Sequence, residues 1–291
     1  MDIIVLYLIF FVKFTLFLEF SIVFFKKVYC VFFIMNSFSI IIFVGDTMTD
    51  IDLLINWIKE SKKIVFFGGA GVSTESGLKD FRSVDGLYNE KYEFPPEEIL
   101  SHSFFINKTR EFYKFYKDKL NTHNLKPNIT HNVLKKLEDA GKLSCVITQN
   151  IDGFHSDAGS KKVLELHGSI KRNYCMDCHS FYDDNYIFSS VDDIPRCSCG
   201  GIIKPDVVLY EEGLDDAIVN EAIKELSSCD LLIVGGTSLN VYPAAGFLRF
   251  FNGKHLVLIN RDKTPFDHNC DLVIHDSLGK VFKKIEKEII K

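Results

Sequence analysis

Five short apolar runs frame this chain: Ile64 to Phe67, Cys145 to Thr148, Leu231 to Val234, Leu256 to Ile259 and Leu272 to Ile274. Each is continuous rather than alternating, as expected of a strand buried on both faces of a parallel sheet. Helical periodicity fills several of the gaps, over Ile51 to Lys59, His131 to Ala140, Asp215 to Leu226 and Lys280 to Ile290. Strand alternating with helix predicts an α/β fold, a Rossmann-like doubly wound parallel sheet with its ligand crevice at the strand C-termini. Two stretches break the alternation. Residues from about 84 to 125 are rich in Phe, Tyr and Lys, with helical spacing from Glu97 to Leu120, and predict a helical insertion. Residues from about 171 to 204 hold a cysteine cluster. The two together predict a smaller zinc-binding and helical lobe, with a cleft between it and the larger one.

The cysteine cluster carries its own chemistry. Cys175 and Cys178 form a C-x-x-C knuckle, and Cys197 and Cys199 a C-x-C knuckle after an 18-residue gap. Four sulfur donors fit a tetrahedral structural Zn2+ site with no position left for water. A disulfide pair is the competing reading. Cys30, Cys145, Cys229 and Cys270 stand apart in apolar surroundings and read as buried thiols. That usage fits a reducing compartment and a cytoplasmic location. The net charge of −5 offers no electrostatic footprint for nucleic acid.

Residues 1–47 differ in kind: they are dominated by Phe, Ile, Val and Leu, and Val28 to Val44 is a 17-residue run without a charge. Such a run is at the lower limit for a membrane span, so a membrane-anchored location is one reading. A secretory signal lacks its short basic region and small-residue cleavage site. The favoured reading places the start of the protein at Met48, because the codons for Gly45-Asp46-Thr47 can spell a ribosome-binding site before that methionine. The main domain then runs over residues 48–291, and a protein starting at Met48 is expected to be soluble and fully functional.

Polar residues cluster where strands end. Gly68-Gly69-Ala70-Gly71-Val72-Ser73-Thr74 follows the first strand, where glycines let backbone approach a pyrophosphate. Glu75 to Ser83, Thr148 to His155, Glu165 to Ser169, Gly236 to Leu239 and Asn260 follow in turn. These residues resemble the sirtuin family, the NAD-dependent protein-lysine deacylases of bacterial type. The resemblance covers about Asp50 to Lys287 and rests on GAGVSTESG, DFRS, TQNIDGFH, LHG, the four cysteines, KPDVVLY and GTSLNVYPAA.

The resemblance implies a site, residue by residue. Ala70, Thr74, Phe81 and Arg82 would contact NAD from the cofactor loop, and Gln149, Ile151 and Asp152 would line the nicotinamide pocket. Thr237, Ser238 and Asn260 would hold the adenosine half, with Asp276 contributing through its backbone. The cysteines would hold Zn2+. Val207, Val208, Leu209 and Tyr210 would line the acyl-lysine tunnel. Leu239, Asn240 and Val241 would clasp the peptide as an added strand. His167 would be the general base, since a neutral imidazole is available near pH 7. The implied activity removes acetyl groups from lysines of protein substrates and yields nicotinamide and O-acetyl-ADP-ribose. Mono-ADP-ribosyl transfer and a non-catalytic NAD-sensing module are the alternatives; a missing His167 or a broken cofactor loop would favour the latter, and both are intact.

The chain departs from the family pattern in three places. Lys79 replaces a proline before DFR. Glu211 replaces a glycine after the aromatic of KPDVVLY. Tyr113 is followed at Tyr-x-x-Arg spacing by Tyr116, so no guanidinium is offered to an acidic acyl group. The expectation is a preference for acetyl or another short neutral group, with succinyl turnover gained on placing arginine at position 116. His155 reads as structural, and His102, His123 and His131 as caps or surface residues.

Overall fold

The computed structural model describes residues 48–79, 86, 92–239 and 243–289. Residues 1–47, with every reading placed on them, lie outside these, as do Phe81, Arg82, Asn240 and Val241.

Nine strands occur in the described residues: β1 (Ile64–Gly68), β2 (Leu143–Thr148), β3 (Val163–Glu165), β4 (Gly168–Cys175), β5 (Phe181–Tyr182), β6 (Ile203–Val207), β7 (Leu231–Gly235), β8 (His255–Ile259) and β9 (Leu272–Ile274). Six of them form a parallel sheet in the order β3-β2-β1-β7-β8-β9. This is a doubly wound order that reverses between β1 and β7. The helices are α1 (Asp50–Glu60), α2 (Pro96–Ile99), α3 (His102–Asn107), α4 (Thr109–Lys119), α5 (Ile129–Asp139), α6 (Phe154–Asp157), α7 (Asp184–Ser189), α8 (Asp216–Ser228) and α9 (Leu278–Ile289).

The continuous apolar runs are explained by burial on both faces. Along β1, Ile64 and Phe66 join the core under α1, α5 and α9, whereas Val65 and Phe67 join the core under α8 and the 3-10 turns of Ala244–Phe250. A side-chain period of two sends alternate residues to opposite faces, so a strand covered on both faces has no polar side.

A second, antiparallel sheet has the order β5-β4-β6. It packs with α2, α3 and α4 around a third core, in which Phe112, Tyr113 and Tyr116 meet Ile170, Ile187 and Ile203. The helical spacing of Glu97 to Leu120 is realised as three helices, not one. Leu100 ends the first, and Ser101 caps the second by accepting from Phe104 N.

Two histidines lie wholly inside. His131 is a cap, one of the two roles expected of it, but a buried one, and its ring stands 4.7 Å from that of His155. Its Nδ1 accepts from Asn128 N at 3.2 Å, which leaves the proton on Nε2. Burial pushes the His131 imidazolium down to about 4 and holds His155 well below the usual histidine range. Both rings are therefore neutral in the folded protein. Below about pH 6.5 the unfolded chain takes up protons that the folded one refuses, so stability falls with pH towards 4. For His131 alone the loss amounts to roughly 3 kcal/mol. Urea unfolding at pH 7.5 and pH 5 should show it, and His131→Gln should flatten the difference; equal pH dependence in that variant would count against this source.

Candidate active site

The loop after β1 sits at the reversal of strand order. Residues Ala70–Val72 and Thr74–Ser76 form two successive 3-10 turns. The loop is pressed against the end of β7: Gly71 N donates to Gly236 O at 2.8 Å. Gly236 has φ +61°, and a Cβ there would lie 2.5 Å from Val72 N. Only glycine allows that approach.

Beneath this loop a cavity of about 520 Å³ opens between the two lobes. Ala70 and Thr74 line it from the loop, and Gln149, Ile151 and Asp152 from the end of β2. Thr237, Ser238, Asn260 and Asp276 line the part beyond β7, β8 and β9. His167, Val207, Val208, Leu209 and Tyr210 close the side facing the small lobe. The fold thus brings every described member of the expected cofactor and tunnel sets, which come from seven separate chain segments, onto one cavity.

Asp152 is buried at its base. Its carboxylate accepts from Ser73 Oγ at 2.7 Å and from Phe154 N at 2.9 Å. Burial raises its pKa, and the two hydrogen bonds oppose that shift. Asn150 Nδ2 donates to Ser73 Oγ at 3.1 Å, so Ser73 joins the cofactor loop to the β2 loop. Ser73 and Asn150 are contributors that motif reading passed over, although both stand inside the motifs GVSTES and TQNID.

His167 follows β3. Its Nδ1–H donates to Gln149 O at 2.9 Å, which leaves Nε2 without a proton. Burial lowers its pKa below the usual histidine value, partly offset by that carbonyl. The ring is therefore neutral at pH 7, with one basic nitrogen. The next residue, Gly168, has φ +76°, and a Cβ there would meet Asp206 O at 2.0 Å. The glycine of LHG thus lets β4 and β6 pair directly behind the histidine.

The opposite wall is tied to the helical insertion. Val208 N donates to His167 O, Tyr210 N to Leu100 O, and His102 N to Tyr210 O. Glu211 takes φ +77°, a left-handed conformation that favours glycine. Its carboxylate accepts from Ser103 N and Ser103 Oγ, each at 2.9 Å, which holds the residue there. Beyond β8 and β9, Asn260 Nδ2 donates to Asp262 O at 2.8 Å. Lys280 lies 2.5 Å from the Asp276 carboxylate and helps to hold it below the usual range.

The cysteines converge. The Sγ atoms of Cys175, Cys178, Cys197 and Cys199 all lie within 4.8 Å of one another, and all four are free thiols. A tetrahedron with metal–sulfur bonds of about 2.3 Å has edges of about 3.8 Å. The contacts of 3.4 to 3.5 Å among these sulfurs match that size. Cys145 and Cys229 are buried, as expected, while Cys270 is only half-buried.

One expectation is corrected. Tyr113 and Tyr116 do not border the cavity; both are fully buried in the small-lobe core, with Tyr116 stacked on Phe188 at 5.6 Å. The acyl preference therefore cannot be read from this pair. Tyr116→Arg would place a guanidinium in an apolar core, and losses of several kcal/mol are usual for an unpaired buried charge. The expected result is a lower Tm and no gain in succinyl-lysine turnover, checked by calorimetry and paired kcat/KM measurements. A stable variant with succinyl activity would show that the ring reaches the site after all.

Among the described residues no helix is long and apolar enough to cross a membrane. The Sir2 family profile matches residues 69–243. An NAD-dependent protein deacetylase of Clostridium perfringens (strain 13 / Type A) is 59% identical over 232 residues, 78% of this chain and 95% of that protein. A solved Sir2 structure with a deacetylated p53 peptide and 3′-O-acetyl ADP-ribose aligns with TM-score 0.76 at 36% identity, over 82% of this chain and 98% of that one. A Sir2Tm structure bound to a propionylated peptide aligns with TM-score 0.74 at 34% identity, over 82% and 98%.

Proposed function

Because the chain belongs to the Sir2 family, we propose that its cavity carries out NAD-dependent deacetylation of protein lysines, with the residues that line it in the roles given below. The observation that carries this reading is the neutral His167, its free Nε2 facing a cavity shared by the glycine-rich loop and the Val207–Tyr210 segment. The chain is an NAD-dependent deacetylase with a structural zinc site. When bound, NAD would supply the ribose carbon that releases nicotinamide and the ribose hydroxyl that accepts the acyl group, with one water consumed as the lysine amine is freed.

The protein's own groups perform four tasks. The loop of Ala70 and Thr74, with Phe81 and Arg82, holds the cofactor. Gln149, Ile151 and Asp152 form the nicotinamide pocket, where the buried Asp152 carboxylate is fixed to accept from the amide. Thr237, Ser238, Asn260 and the backbone of Asp276 hold the adenosine half. His167 Nε2 removes the ribose hydroxyl proton, and its Nδ1–H, locked on Gln149 O, keeps that nitrogen basic.

On the substrate side, Val207, Val208, Leu209 and Tyr210 form the tunnel, and Asn240 and Val241 are assigned to the peptide backbone. Glu211 and Glu212, which follow Tyr210 in the cavity lining, have their carboxylates tied to Ser103 and to His102 and Lys204; the proposed preference is for acetyl or another short neutral acyl group. Acetylated proteins are the partners, and a cytoplasmic setting agrees with the free thiols.

The test is product analysis. Incubation with NAD and an acetyl-lysine peptide, read by mass spectrometry, should give free lysine, nicotinamide and O-acetyl-ADP-ribose in equal amounts. An ADP-ribosylated protein with the acetyl group retained would point to the transferase reading instead.

A further inference from the structure

We infer that Asn128, at the N-terminus of α5, is a positioning residue for the cofactor loop, which it clamps on both sides of Ser73. This rests on the reading that Ala70 and Thr74 contact NAD.

Asn128 belongs to none of the motifs that mark the site, and it does not line the cavity. Its two side-chain atoms do different work. The Oδ1 accepts from Thr130 N at 2.9 Å and caps α5. The Nδ2 donates to Val72 O at 2.7 Å and to Ser76 Oγ at 3.0 Å. Its backbone N–H is held in turn by the neutral, buried ring of His131. Every hydrogen-bonding position of the amide is thus assigned, so its orientation is unambiguous.

The placement of the two Nδ2 contacts gives the clamp its meaning. Val72 ends the first 3-10 turn of the loop and Ser76 ends the second. Between them stand Ser73, whose hydroxyl holds Asp152, and Thr74, which faces the cavity. The other side of the loop is pinned to β7 through Gly71 N and Gly236 O. Asn128 supplies the hold on the α5 side. Because α5 packs on the main sheet through Val133, Leu134 and Leu137, the loop is referred to a rigid element. Holding a binding loop in its bound shape lowers the ordering cost of binding. Loss of the clamp should therefore appear in NAD affinity, not in peptide affinity.

Asn128→Asp separates the two tasks. Aspartate caps a helix as well as asparagine does, but it has no N–H to give and sets a carboxylate against the Val72 carbonyl. The expected result is a KM for NAD raised about 10-fold or more, the scale of one or two lost hydrogen bonds. The KM for acetyl-peptide should stay within about two-fold and the Tm close to that of the wild type. Ser76→Ala leaves the cap untouched and removes one of the two contacts; it should raise the KM for NAD by a few-fold and serves if the Asp variant does not fold. Unchanged KM for NAD in either folded variant would overturn the clamp, as would a loss in N128D confined to Tm. A wild-type protein that does not turn over NAD with acetyl-peptide would instead bring down the reading of the site itself.

Discussion

His167→Ala should abolish deacetylation, with kcat/KM falling on the order of 10²–10⁴-fold, the usual cost of losing a general base. The half-buried ring makes one hydrogen bond among the described residues, from Nδ1 to the Gln149 carbonyl, so its removal leaves one carbonyl to be satisfied by water and no apolar core to collapse. Tm and zinc content should hold. The wild-type pH profile supplies the second half of the argument. The base must be unprotonated, so the rate should fall as pH drops through the pKa of His167. Burial has lowered that pKa, and the acid limb should therefore lie below the ordinary histidine range. The limb should be absent from the residual rate of the alanine variant. Near-normal turnover in that variant, or an acid limb unchanged by the substitution, would remove His167 from the catalytic role.

Cys175→Ser or Cys197→Ser should release zinc and take most of the activity with it. The reason is the path of two strands. β4 begins at Gly168, next to His167, and ends at Cys175; β6 begins at Ile203, beyond the second knuckle, and ends at Val207. In the register of this pair, Gly168 faces Val207 at one end and Cys175 faces Ile203 at the other. The knuckles thus fasten the far ends of the strands whose near ends carry Val207 and adjoin His167, the proposed tunnel wall and base. Structural zinc contributes on the order of 10 kcal/mol to folding in zinc-finger peptides, comparable with the whole stability of a domain. Elemental analysis should find one Zn2+ per wild-type chain and none in the variants, and limited proteolysis should cut first within residues 171–204. A wild-type protein without zinc, or a fully active metal-free variant, would refute this account.

Both expectations show how unevenly the sequence discloses this molecule. The five long-range strands of the main sheet were legible because burial on both faces leaves no polar positions. Their ends agree with the structure to within two residues, as at Leu231–Gly235. The short β3, β5 and β6 were not legible. Phe181–Tyr182 and Val163–Glu165 are too brief to show a period, and Ile203–Val207 contains Pro205. The helical insertion was seen as one segment because its spacing is continuous, while its division depends on the Ser101 cap and on a bridge between Ser101 and Tyr210, over a hundred residues away.

The sequence by itself determined the α/β class, the four-sulfur cluster and the identity of the polar residues at strand ends, because each is written in local spacing or residue type. Only the tertiary structure decided which atoms act. The free nitrogen of His167 depends on a carbonyl 18 residues earlier in the chain. The burial of Tyr113 and Tyr116, which withdraws them from the acyl site, depends on a sheet that forms downstream of them. The hold of Asn128 on Val72 joins segments 56 residues apart. Residue types and spacings are local properties of a chain, whereas protonation, burial and the partner of a hydrogen bond arise from neighbours that only the fold brings together.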